Sequence, residues 1–392
     1  MSPRPAAITG VGVITPIGTG CDELTEALAE GRSGIEEITN FDAEALPVKY
    51  AAEARNFDLT NHITSIKTYL DRTSAFALAV AAMALGESEW IGNMPGAEIG
   101  LCLGSAWGCQ DSIELYTRKI VESDPKFAPP LVFTHSYANA PNSLVSIEFG
   151  LRGHNTCFAG GATAGNAALE CALDLIRRDD SQRLLAGGAD ALSEVAVRAA
   201  IAEEIVASEL CRPFDTAADG LLPGEGAGLL ALESVNRAES RKAEIAGYLL
   251  GTGSSGGASC TEALSRAIAR ALADAAVGAD EIDAVFASAS GLPRVDAAEA
   301  EAIAGLPGRP PVVALKSLIG DPMGAWAPVA VAAALCCIDA RVLPATAHLR
   351  EVLSAEVNIL REPLECAPNT CLVLNLEPSG YAAAIIVRGS QE

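Results

Sequence analysis

One cysteine set among small residues is the strongest chemical feature of this chain. The stretch reads Gly153-His-Asn-Thr-Cys157-Phe-Ala-Gly160-Gly161-Ala-Thr-Ala-Gly165-Asn-Ala-Ala-Leu-Glu-Cys171. Ala164, Ala168, Cys171, Ala172, Leu175 and Ile176 follow a helical period, which predicts a strand, a tight turn carrying Cys157, and a buried helix to about Arg177. A thiol at a helix N-terminus feels a field that favours its thiolate and makes it a nucleophile. Small neighbours let an acyl chain or a pantetheine arm come close. The alternative is a structural cysteine in a glycine-rich turn, and this stretch alone leaves both open. His154, three residues before Cys157, offers a base on paper; a local hydrogen bond facing away from the pocket is the preferred reading.

The elements around this stretch alternate between strand and helix. Buried strands are predicted at Ala7–Ile14, Glu98–Gly104, Arg183–Ala189, Leu229–Leu232, Ile245–Gly253, Ile282–Ala287 and Val312–Leu315, with a terminal pair at Thr370–Leu376 and Ala382–Val387. Helices are predicted at Cys21–Leu28, Leu70–Leu85, Ala140–Phe149, Val195–Leu210, Glu262–Ala275 and Gly324–Ile338. The glycines of the first strand lack GxGxxG spacing and Pro16 interrupts their turn, so they do not form a dinucleotide loop. Residues 1–245 and 246–392 form two related α/β halves, each opening on a glycine-ended strand, with no linker between them.

At 392 residues and 50% hydrophobic, the chain can bury a large core. A formal charge of −23 argues against nucleic acid or an anionic membrane as the main partner. The eleven cysteines follow no metal-ligand spacing, and scattered unpaired thiols fit a reducing cytoplasm. The start has no signal-type apolar segment. The longest apolar run, Ala325 to Ile338, is shorter than the roughly 20 residues of a membrane span and is read as a buried helix.

The chain resembles the β-ketoacyl-acyl carrier protein synthases of the thiolase superfamily. The resemblance rests on Ile8-Thr-Gly-Val-Gly-Val-Ile-Thr-Pro-Ile-Gly18, on Gly31-Arg-Ser-Gly-Ile35 with Phe41-Asp42, and on the Cys157 stretch. Leu185-Ala-Gly-Gly-Ala189 and Arg212-Pro-Phe-Asp215 through Gly224-Glu-Gly-Ala-Gly228 extend it to nearly the whole length. It implies an α/β, five-layered αβαβα fold of two halves sharing one core, and a dimer. It also implies Cys157 as acyl acceptor from acyl carrier protein, and no cofactor or metal.

The family condenses with the help of two histidines that donate to the enolate formed from malonyl thioester, a contribution of several kcal/mol in preorganised sites. At the first position this chain has Ser288, within Ser288-Ala-Ser-Gly-Leu292 ahead of Asp296 and Glu299; at the second it has Asp321, after Lys316-Ser-Leu-Ile-Gly320. Its four histidines, 62, 135, 154 and 348, lie in neither motif. An ionised Asp321 beside a forming enolate opposes the reaction; a protonated one could donate. Lys316 is expected to brace the site through an ion pair with Asp296 or Glu299. The family's gating loop aligns with Asn375-Leu-Glu377-Pro378-Ser379-Gly380-Tyr381, without its phenylalanine and hinge glycines. Phe158, Glu377 and Ser379 are then the expected lining of the substrate pocket. Lys67, Arg72, Arg118 and Lys119 are candidates for a patch that docks an acidic carrier protein.

These departures are similar to those of chain-length factors, the ketosynthase β subunits that pair with an active ketosynthase in polyketide or polyene synthesis. The retained Cys157 does not fit, because that class commonly replaces the cysteine. The expectation is a condensation-deficient partner subunit of type II polyketide or fatty acid synthesis, cytoplasmic and soluble. The alternative is an enzyme that uses Cys157 for acyl transfer or an atypical condensation.

Overall fold

The computed structural model describes residues 4–90 and 98–390. A continuous 12-stranded array carries the architecture; the short strand Asn358–Ile359 continues it beside Pro311–Val313, and ten of its strands form two five-stranded sheets. The first is built from β1 (Ala6–Thr15), β2 (Gly100–Ser105), β3 (Asn155–Ala159), β4 (Arg183–Asp190) and β5 (Gly226–Ser234), in the order β3-β2-β4-β5-β1. The second is built from β6 (Gly247–Gly256), β7 (Ala284–Phe286), β8 (Pro311–Val313), β9 (Thr370–Leu376) and β10 (Tyr381–Gly389), in the order β8-β7-β9-β10-β6. In each sheet the first three strands are parallel and the last two pairings antiparallel, so the two halves repeat one topology. The sheets join where Ala6–Ile8 pair with Gly247–Leu249.

The parallel strands are apolar throughout because both of their faces are covered. Helices α1 (Arg72–Glu87) and α3 (Cys260–Ala275) cover the outer faces of the first and second sheets. Between the sheets lie α2 (Ala164–Arg177) and α4 (Trp326–Ala340), giving the five layers α, β, α, β, α. One apolar cluster takes Leu169 and Leu173 of α2, Val329 to Cys337 of α4, and strand residues from both sheets. The segment Met323–Ala340 is long and apolar enough to cross a membrane, but 78% of it is buried inside the fold, as befits a core helix. Cys336 and Cys337 are buried packing residues within it.

Most predicted elements sit where the sequence places them, including α2, whose end at Arg177 matches. The helix expected over Val195–Leu210 is shorter: it spans Glu194–Ala202, started by a hydrogen bond from Ala196 N to the Ser193 hydroxyl. The largest correction concerns Cys157. It sits in the middle of β3, paired in register with Leu103, and not in the turn before α2.

Candidate active site

The turn from β3 into α2 is made by Gly160, Gly161, Ala162 and Thr163. Gly161 has φ +68°, which a side chain adopts only with strain, and a Cβ there would lie 2.5 Å from Glu377 Oε1. The side chains available at this turn are therefore the methyl of Ala162 and the hydroxyl of Thr163. Helix α2 opens with its N-terminal amides facing that turn, the place where a nucleophile would gain from the helix field. No thiol is there.

Glu377 occupies the position instead. Its carboxylate accepts 2.9 Å hydrogen bonds from both the N–H and the hydroxyl of Thr163, the residue that opens α2. It reaches there from a tight hairpin: Gly380 N donates to Glu377 O at 2.9 Å, and Glu377 N to Tyr381 O at 2.9 Å. The segment expected to be a gate is thus a short β-turn between β9 and β10. Two residues earlier, Asn375 is buried and donates 2.8 Å bonds to Ala162 O and Asn166 Oδ1, tying β9 to the turn. A carboxylate at a helix N-terminus satisfies amides and the helix dipole together. An incoming oxyanion would have to displace it.

Cys157 lies half-buried, with its thiol directed to Ala138 O at 3.4 Å. Burial pushes that thiol above its ordinary value, which disfavours the thiolate. His154 is exposed, and its Nε2 lies 2.6 Å from Thr156 Oγ1, a local bond of the kind the sequence suggested.

The two positions expected to carry histidines are engaged elsewhere. Ser288 follows the end of β7, buried, and its hydroxyl donates to Glu299 at 3.1 Å while accepting from Leu376 N at 3.0 Å. Glu299 also takes Ser288 N, and Asp296 takes the N–H groups of Phe214, Ser290 and Gly291. Burial outweighs these donors, so Asp296 is pushed up to about 6 and Glu299 to about 7. Asp321 is buried and pairs with Lys316 Nζ at 2.9 Å, its second oxygen accepting from Met323 N at 3.0 Å. The ion pair expected between Lys316 and Asp296 or Glu299 is corrected: Lys316 binds Asp321, at the position expected to carry the second histidine. The lysine is itself buried and sits 5.0 Å from the centroid of the Trp326 ring. Beside Asp321 the space between Trp107, Leu192 and Met323 is about 20 Å³, room for about one water.

A larger hollow of about 330 Å³ opens over the β3–α2 turn and is lined by Phe158, Gly160, Thr163, Ala167, Glu377 and Tyr381 among others. Phe158 and Glu377 line it as expected. Ser379 does not: it lies at the exposed hairpin tip, with its hydroxyl on Glu377 Oε2 at 3.0 Å. Of the four cations expected to form a basic patch, Lys67, Arg72 and Arg118 are each paired with a glutamate, respectively Glu148, Glu225 and Glu114; Lys119 lies beside Arg118 on the same helix.

Two structural residues at the site escaped the sequence reading. Asn375 is a buried amide inside an otherwise apolar strand, a pattern that marks a polar group with a dedicated partner. Asp190, at the end of β4, accepts bonds from Ser105 Oγ and the N–H groups of Ala106, Trp107 and Gly324. It ties the end of β2 to the Met323 loop; burial pushes it up to about 6.

Residues 3–238 match the family model described as "Beta-ketoacyl synthase, N-terminal domain", and residues 242–350 match "Beta-ketoacyl synthase, C-terminal domain". The tetracenomycin polyketide synthase ketoacyl synthase beta subunit of Streptomyces glaucescens is 30% identical, with 99% of each chain covered. The 3-oxoacyl-[acyl-carrier-protein] synthase 2 of Coxiella burnetii is 29% identical over 89% of each. Among solved structures, the ishigamide ketosynthase/chain length factor superposes with a TM-score of 0.94 at 29% identity, covering 99% of this chain and 100% of that one.

Proposed function

Because the chain belongs to the β-ketoacyl synthase family, we propose that it is a condensation-deficient subunit of type II polyketide or fatty acid synthesis, akin to a chain-length factor. It would work beside an active ketosynthase that receives chains from acyl carrier protein. One observation carries the reading: the strand-to-helix turn that would hold a nucleophile bears Ala162 and Thr163, and its helix N-terminus is held by Glu377. Cys157, the residue that seemed to contradict this class, lies within β3 and leaves the turn without a thiol. The engagement of Ser288 with Glu299 and of Asp321 with Lys316 supports the same reading, since neither side chain is free to donate to an enolate. Among the described residues no strand lies beyond the outer edge of β3, which lies beside the open hollow, where a partner subunit would close it.

Acyl transfer through Cys157 has less support, because the thiol is held by a carbonyl and burial keeps it protonated. Intact-protein mass after incubation with an acyl-carrier thioester separates the two. The expected result is no adduct on this chain, and co-purification with a ketosynthase whose own cysteine is fully loaded. An adduct on this chain that disappears in Cys157→Ala would overturn the proposal.

A further inference from the structure

Away from the active-site turn, the fold gathers three ligating side chains that are scattered in sequence. Cys102 on β2, His154 just before β3 and Cys171 on α2 each place a ligand atom within 4.8 Å of the other two. Cys171 lies seven residues into α2, so the cluster is about 10 Å along the helix from the end that Glu377 caps. No spacing in the sequence marks it, because the three come together only through sheet pairing and helix packing.

From this geometry we propose that Cys102, His154 and Cys171 form a zinc site, with its fourth position open to solvent on the exposed histidine side. Two thiolates and an imidazole are a soft, borderline donor set that suits Zn²⁺. Ligands of tetrahedral zinc lie roughly 3.5–4 Å apart, so the present separations need only a small contraction. Binding forms two Zn–S bonds and one Zn–N bond, and the two thiol protons go to solvent.

The site is built on rigid parts. Cys102 is fully buried in the second strand of the sheet, and Cys171 faces it from a core helix. The histidine segment is fastened to β2 by backbone bonds, Gly153 N to Ile99 O at 2.9 Å and Leu101 N to His154 O at 2.7 Å. That approach requires glycine on both sides: a Cβ on Gly100 would lie 2.7 Å from His154 O, and one on Gly153 would lie 2.6 Å from the Ile99 carbonyl carbon. Thr156 Oγ1 lies 2.6 Å from His154 Nε2; the proposal assigns Nδ1 to the metal, with the threonine as the outer contact that fixes the tautomer.

The test uses the full chain, reduced and stripped of metal by a chelator. Titration with Zn²⁺ should show one ion per chain and a rise in thermal midpoint. Co²⁺ should give the thiolate charge-transfer absorption of a tetrahedral site. His154→Ala and Cys171→Ser, both away from the buried strand, should abolish both signals. Thr156→Val should weaken binding by roughly 10–100-fold without abolishing it. Absence of stoichiometric zinc would overturn the proposal, and so would undiminished binding in the folded His154→Ala/Cys171→Ser double variant. These readouts require no condensation activity, so they are independent of the proposed function.

Discussion

At position 321 the chain holds a buried negative charge whose partner, Lys316, is equally buried. Removing one member of such a pair strands the other, at a cost of about 3–5 kcal/mol, while replacing both with apolar residues is often neutral. Asp321→Ala should therefore lower unfolding stability by about that amount, and Lys316→Met/Asp321→Leu should recover most of it; urea melts of the three proteins check this. Glu299 behaves differently. Its folded value of about 7 lies above the ordinary carboxylate range, so the folded state binds the proton more tightly than the unfolded one. The resulting stability is complete below about pH 4 and is lost as pH rises to about 7, on the order of 3 kcal/mol. Comparing wild type with Glu299→Gln across that range should show the wild type losing stability relative to the variant; parallel curves would refute the assignment.

At the scale of elements, the junction of β3, α2 and the β9–β10 hairpin decides what the site can do. Glu377 acts there as a capping group supplied from another strand. Glu377→Ala should destabilise the fold by about 0.5–2 kcal/mol, the usual range for a lost helix cap, measured by denaturant midpoint. Much of this junction was legible in sequence. The apolar period starting at Ala164 predicts α2 and its end at Arg177. Small residues flank Cys157 just as they flank the glycine pair 160–161, which is why the predicted turn falls wrongly on Cys157. Short strands carry no period long enough to arbitrate. The pairing of Lys316 was illegible for another reason: three buried acids lie nearby in the fold, and only the backbone turn over Lys316–Ile319 decides which one the ammonium meets. Cys102, His154 and Cys171 were illegible because no local pattern records a contact made between strand and helix.

At the scale of the whole molecule, one strand order recurs in both sheets. Charge is the other global property. With −23 overall and Lys67, Arg72 and Arg118 engaged by glutamates, the isolated chain presents a repulsive field to an acidic carrier protein. Raising ionic strength from about 0.01 M to 0.15 M shortens the screening length from about 30 Å to 8 Å. Binding of acyl carrier protein to this chain alone should therefore be weak and should tighten with salt in a titration at both concentrations. Weakening with salt would reveal a local positive docking surface.

The Lys316–Asp321 pair also constrains redesign. A histidine placed at position 321 removes the carboxylate that Lys316 binds at 2.9 Å, so that exchange loses stability before it adds any chemistry. On the proposed function, a condensing centre also needs changes at the β3–α2 turn and at Glu377. Installing one in this fold is therefore a change of several residues at once.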